Sequence, residues 1–270
     1  MEKLIDYTAR FGFDTSSFAP DLSLALGTHA MSPLDVAAAY AVLANGGYLV
    51  EPYLIQRIDD LEGDTLFEAR PPTVCPDCEI PSPDVTELSM EQILAREEAA
   101  EDRQPLAPRI MDERVSFIID SILKDVIKRG TGRRALVLER SDIAGKTGTT
   151  NGPMDAWFSG YNADVVTSTW VGFDNYTPLG RKEFGGTAAL PIWIEFMRAA
   201  LRDSPELERP LPPGVVNVKI DPDTGELASY GQRNAISEYF REEYVPAQGA
   251  QDEGPGSGSQ GTDDLVKDIF

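Results

Sequence analysis

Ala144-Gly145-Lys146-Thr147-Gly148-Thr149-Thr150 is the stretch of this chain whose residue types and spacing are best suited to chemistry. On one strand it offers a lysine ammonium, the hydroxyls of Thr147 and Thr149, and at Gly148 a backbone position free of a side chain. Such an edge can dock an extended peptide by strand addition while the cation and hydroxyls hold a carboxylate. Lys-Thr-Gly also occurs in ordinary turns, so the tripeptide alone leaves both readings open. It is not a phosphate-binding loop, because Arg140 stands where that motif needs its first glycine and strand signals follow in place of a helix. A Ser-x-x-Lys, Ser121-Ile-Leu-Lys124, puts a hydroxyl and an amine on one helical turn. In a self-contained hydrolase these could be nucleophile and base; in this setting they read as helix surface.

Cys75-Pro-Asp-Cys78 holds both cysteines, and His29 is the only histidine, so a four-ligand zinc site is not at hand. No metal and no cofactor is expected. The pair stays open between a small disulfide loop in an oxidising compartment and two free thiols. A thioredoxin-type redox site is disfavoured by the proline- and acid-rich surroundings. His29 reads as a loop residue, and Trp157, Trp170 and Trp193 read as core.

The elements that position these groups follow from periodicity and caps. Met1–Phe13 suits a short amphipathic helix ended by Gly12. Ser32 as N-cap, Pro33 and the run Leu34–Ala44, stopped by Asn45-Gly46-Gly47, predict a second helix. Tyr48–Ile58 and Thr65–Ala69 around Glu62-Gly63-Asp64 predict a β-hairpin. Asp112–Arg129 predicts a helix whose core stripe is Val115, Ile118, Ile119, Ile122 and Val126, stopped by Gly130-Thr131-Gly132. Asp142–Thr150, Ala156–Tyr161 and Val165–Phe173, with short turns between them, predict an antiparallel meander. Ala188–Leu201 predicts a helix over that sheet, and Val215–Ala228 a hairpin turning at Asp221–Gly225.

Charge divides the chain further. Its 270 residues carry 24 Lys+Arg against 45 Asp+Glu, a formal charge of -21. Residues 59–113 and 203–270 account for all of it, at -12 and -9, while residues 114–202 hold 12 bases and 9 acids. This balance argues against nucleic acid as a partner. The longest apolar run, Val36–Ala44, is far short of the ~20 residues that span a bilayer, and no signal sequence opens the chain. The expected organisation is 1–58 helical and hairpin part, 59–113 acidic proline-rich insertion with a helix over Val85–Ala95, 114–202 Lys-Thr-Gly sheet and covering helices, 203–246 C-terminal hairpin region, and 247–270 flexible acidic tail.

Several ordered motifs then carry a family resemblance. Ile127-Lys-Arg-Gly-Thr-Gly-Arg-Arg-Ala135, Ile143–Asn151, Asp155-Ala-Trp-Phe-Ser-Gly-Tyr161, Trp170-Val-Gly-Phe-Asp174 and Ala189-Leu-Pro-Ile-Trp193 together resemble the transpeptidase domain of class A penicillin-binding proteins. Leu22–Gly27, Ser32–Leu34 and Ala44–Tyr48 match it earlier on, and the Cys75–Cys78 insert looks like the proteobacterial 1A type. The likeness runs to about Pro246. It implies an α+β fold of the serine β-lactamase/DD-peptidase kind, with an antiparallel sheet flanked by helices, here incomplete. It further implies acyl transfer from D-Ala-D-Ala stem peptides by a serine that a lysine three residues on helps deprotonate, with a Ser-x-Asn triplet assisting. Lys146 would supply positive potential and help proton transfer, Thr147 and Thr149 would bind the substrate carboxylate, Gly148 would permit close approach, and the Thr149 N–H would be one oxyanion-hole donor.

No Ser-x-Asn occurs in the chain, and Ser121–Lys124, though a Ser-x-x-Lys, lies in the helix just before Lys-Thr-Gly, where the family has a structural helix and no room remains for the triplet. The expectation is a C-terminal portion of a bifunctional peptidoglycan synthase, inactive alone, at the periplasmic face of the bacterial inner membrane. Its partners would be the rest of the same protein, peptidoglycan stem peptides and β-lactams. The rivals are a non-catalytic module binding peptidoglycan or a synthase partner, and a hydrolase using Ser121 and Lys124.

Overall fold

The computed structural model describes residues 1–75 and 104–247. The helix expected over Val85–Ala95, Cys78 and the tail from 248 lie outside them. Helix α1 spans Glu2–Arg10 and ends at Gly12, whose φ of 88° suits glycine. Helix α2 spans Pro33–Ala44 and opens on a full capping box: Ser32 Oγ accepts from the Asp35 N–H, and the Asp35 carboxylate accepts from the Ser32 N–H. Strands β1 (Arg57–Asp59) and β2 (Thr65–Glu68) form the expected hairpin, although residues 49–56 are not strand. Tyr48 instead bridges to Arg109, which returns the chain beside α2 and buries Ala107 and Met111.

Helix α3 spans Glu113–Lys128, with Asp112 accepting from the N–H groups of Arg114 and Val115. Its buried line is not the apolar stripe expected. Ile122 is exposed, and the buried residues are Ser116, Asp120 and Ile127. Polar groups can sit inward here because they are paired: Asp120 with Lys124 at 2.9 Å, and Ser116 with Arg209 at 3.2 Å.

The central sheet is the expected meander, in the order β3 (Ala144–Thr149), β4 (Asp155–Tyr161), β5 (Val166–Gly172), antiparallel throughout. A π-turn at Gly185–Ala189 leads into helix α4, Leu190–Ala200, two residues later than periodicity suggests. Leu190, Trp193, Ile194 and Met197 are buried with Phe158 and Ile127 in the main core, and Phe158 meets Trp193 edge to face at 4.9 Å. Trp170 is not core. It is 38% exposed and forms a cross-strand pair with Trp157 on the sheet's other face.

The last hairpin differs most from expectation. Val215–Ile220 (β6) pairs with Ile236–Arg241 (β7), and residues 226–228 contribute only a bridge from Leu227 to Ile220. The intervening turn at Asp221–Gly225 is present, but the strand that follows it directly is not. The hairpin is fastened to α3 by Arg114–Glu243, Arg129–Glu238 and a Phe117–Tyr239 ring contact.

Asp142, at the entry to β3, accepts from Arg140 at 2.8 and 2.7 Å and from Asn162 at the β4–β5 turn. Arg140 also reaches the carbonyls of Ser204 and Pro205 beyond α4. Burial opposes the Asp142 charge, but the hydrogen bonds from Arg140, Asn162 and Leu207 outweigh it and hold the carboxyl below its usual range. A depressed folded-state pKa stabilises above the unfolded value and is lost as pH falls through the folded one. Denaturation midpoints should therefore drop below the ordinary aspartate value of about 4, and Asp142→Asn should flatten that drop. Trp193→Ala should cost about 3–5 kcal/mol in urea denaturation, and Trp170→Ala should cost clearly less.

Candidate active site

Strand β3 lies at the edge of the sheet, with β4 on one side only. The Thr150 N–H bonds to the Asp155 carbonyl, which sets the phase of the ladder. Backbone groups alternate along an antiparallel strand, so the N–H and C=O of Thr147 and Thr149 face the open edge. Gly145, Thr147 and Thr149 share a face with Phe158 and α4, while Lys146 and Gly148 share the other with Ser159 and Trp157. Lys146 is exposed, and its ammonium donates to the Thr147 carbonyl at 2.9 Å. Among the described residues no carboxylate pairs with it, and its charge is available to an anion.

The two threonine hydroxyls are each held from behind. Thr147 Oγ1 lies 2.6 Å from Thr131 Oγ1, in the turn after α3, and Thr149 Oγ1 accepts from the Gly185 N–H at 3.0 Å. Gly185 rides directly on the strand, since a Cβ there would sit 2.5 Å from the Gly148 carbonyl oxygen. At Gly148 a Cβ would come within 3.1 Å of the Trp157 Cβ, so in-sheet packing as well as approach from outside favours glycine there. Gly130-Thr131-Gly132, read from sequence as a helix stop, and Gly185-Gly186 thus belong to the site. Neither the glycine pairs nor the family motif over Ile127–Ala135 reveals from sequence which strand these segments meet.

Ser121 and Lys124 are placed elsewhere. Lys124 is engaged by Asp120, beside the buried Tyr161, whose hydroxyl is pushed well above the usual tyrosine range by burial first and by the Asp120 charge second. No hydrogen bond joins Ser121 to Lys124 among the described residues, which leaves the serine without its base. His29 stacks on Phe18 and lies 3.4 Å from the Ser17 hydroxyl, as a loop residue. Cys75 is disulfide-bonded, which removes the free-thiol reading. No helix among the described residues is long and apolar enough to cross a membrane.

A family model described as the penicillin binding protein transpeptidase domain matches residues 6–181. Penicillin-binding protein 1A of Pseudomonas aeruginosa is 46% identical over 264 residues, covering 91% of this chain and 32% of the relative. Its namesake in Escherichia coli is 37% identical over 292 residues, covering 91% and 34%. The crystal structure of penicillin-binding protein 1A from Haemophilus influenzae superposes with a TM-score of 0.78 at 38% identity, covering 92% of this chain and 37% of that one. PonA1 from Mycobacterium tuberculosis, at 23% identity and a TM-score of 0.53, shares the fold. The chain spans about a third of the length of the curated relatives it matches.

The contact between Gly185 and the strand makes a prediction of its own. Gly185→Ala should push the π-turn off β3, speed amide exchange at Gly185 and destabilise the protein by about 1–3 kcal/mol, the usual range for overpacking. Gly148→Ala, with its looser 3.1 Å contact, should cost less.

Proposed function

We propose, on the premise that this chain belongs to the penicillin-binding protein transpeptidase family, that it supplies the Lys-Thr-Gly wall of a site that cross-links peptidoglycan. The observation that carries this reading is the edge of β3, open among the described residues, with a Lys146 ammonium that no carboxylate there neutralises and the backbone of Thr147 and Thr149 turned outward. An extended stem peptide can lie along that edge with its terminal carboxylate against the Thr147 and Thr149 hydroxyls. A serine oxygen then attacks the carbonyl between the two D-alanines. The oxyanion takes the Thr149 N–H, the C–N bond breaks, and the terminal D-alanine leaves with a proton. An amine from a second stem peptide attacks the acyl-serine ester and releases the serine. Lys146 stabilises negative charge and assists proton movement, and Gly148 lets the peptide approach.

The serine itself is read as lying outside these 270 residues. No Ser-x-Asn occurs among them, and Lys124 is committed to Asp120. The chain is then the C-terminal portion of a class A synthase, inactive alone, that works with the rest of the domain on stem peptides and binds β-lactams there. The disulfide at Cys75 supports a periplasmic setting at the inner membrane, because such bonds persist in oxidising compartments. The lack of Ser-x-Asn also favours a second reading, a non-catalytic module that binds peptidoglycan or a synthase partner.

Fluorescent penicillin separates these readings. The 270-residue chain should stay unlabelled, while a full-length protein carrying it labels at a serine outside this chain. There Lys146→Ala should slow acylation by about two to four orders of magnitude, and Ser121→Ala should leave it unchanged. Labelling of the chain alone that vanishes with Ser121→Ala would instead establish the hydrolase, and no labelling of either form would favour the binding module.

A further inference from the structure

We infer that the turn after α3 is a second wall of this site, in which Thr131 and Arg134 set its preference for ligands that end in a carboxylate. Thr131 would act by orienting the Thr147 hydroxyl and Arg134 by its charge. The inference rests on the transpeptidase reading and deepens it.

Thr131 Oγ1 and Thr147 Oγ1 lie 2.6 Å apart. Each hydroxyl carries one proton and can accept as well. A carboxylate only accepts, so a bound one requires the Thr147 proton to point outward. The inner bond must then run from Thr131 to Thr147, giving a chain of donors from Thr131 through Thr147 to the carboxylate. In such a chain each bond strengthens the next. Thr149 is arranged the same way, since its oxygen already accepts from the Gly185 N–H at 3.0 Å and its proton is free to face the edge. With a carboxylate bound, two alternate threonines on one strand face would thus each receive a hydrogen bond from behind, one from a backbone amide and one from Thr131.

Arg134 is brought to the same edge through Gly186. Its Nη1 donates to the Gly186 carbonyl at 3.4 Å. A Cβ on that glycine would lie 3.1 Å from the Thr131 carbonyl oxygen and 3.9 Å from Thr147 Cγ2. The residue whose carbonyl holds the guanidinium is therefore packed against both threonines. Arg114, Arg129 and Arg140 each hold a carboxylate, whereas among the described residues neither Arg134 nor its neighbour Arg133 does. An unneutralised cation beside a row of donors attracts an anion and orients it before contact, and added salt screens that attraction.

The test compares acylation of the full-length protein by a penicillin and by its methyl ester, which lacks the anionic end. Thr131→Val should slow the free acid by about 10-fold, as expected when the donor of a charge-assisted hydrogen bond loses the bond that orients it, and leave the ester within about 2-fold. Thr131→Ser, which keeps the hydroxyl, should restore the acid rate. Arg134→Gln should slow the acid by about 3- to 10-fold at low ionic strength, a deficit that shrinks towards 1 M salt, again sparing the ester. Because Arg134 is exposed, this variant keeps the test open should Thr131→Val fail to fold. Acid and ester rates falling together, or an acid rate unmoved by Arg134→Gln at low salt, would overturn the inference. An unsubstituted full-length protein that does not react with penicillin would overturn the transpeptidase reading itself.

Discussion

Phe158 and Trp193 occupy the space that side chains at Gly145 and Gly160 would need. These two glycines face each other across β3 and β4, and a Cβ on either would come within 2.8 Å of an aromatic ring. The slot they leave lets α4 settle on the sheet with Trp193 fully buried. It also fixes the phase of β3. With Gly145 turned into the core, alternation sends Lys146 to the opposite face and returns Thr147 and Thr149 to the first. A slip of one residue would drive the lysine into the aromatic core, so the same packing that holds α4 down also determines where the ammonium and hydroxyls emerge.

Local chemistry in the sequence was enough to identify the meander and α2. Asn151-Gly152-Pro153 and Asn162-Ala163-Asp164 are strong turns between β-rich runs, and Ser32-Pro33 with Asp35 is a helix start that needs no distant partner. Expectations failed where the deciding partner is remote in the chain. β7 begins 16 residues after β6 ends, whereas the turn at Asp221–Gly225 points to the nearer segment that follows it. Ser116 and Asp120 look like surface residues on a helical wheel, but Arg209 and Lys124 satisfy them in the interior while Ile122 faces solvent. Trp170 has a core residue's composition and an edge strand's position, and its indole N–H bonds Asp155 at the surface.

The site shows the same division. Lys146, Thr147, Gly148 and Thr149 were legible because their chemistry lies within one strand. Thr131 and Gly185 were not, since the loops that bring them to β3 are 16 and 36 residues away. Thr131 stands in a helix stop and in a motif of the family resemblance, neither of which says which strand it meets, and Gly185 lies outside every motif. A glycine beside a threonine reads as a break in structure until the surface it closes upon is known, and here that surface is the back of the functional strand.

Net charge sets a final physical question, since a chain at -21 should repel a peptide carboxylate. The charge is uneven along the chain. The excess acid lies in residues 59–113 and 203–270, whereas the segment that builds the site, 114–202, is slightly basic. Interactions between exposed charges are screened beyond about 8–10 Å at physiological salt, so the cations at the strand itself weigh most on an anion docking there: Lys146 on β3 and Arg134 bonded to Gly186, neither paired with a carboxylate among the described residues. Low salt lengthens the reach of the acidic stretches as well as of these cations, and the ionic-strength dependence of ligand capture reports which of the two fields dominates at the strand edge.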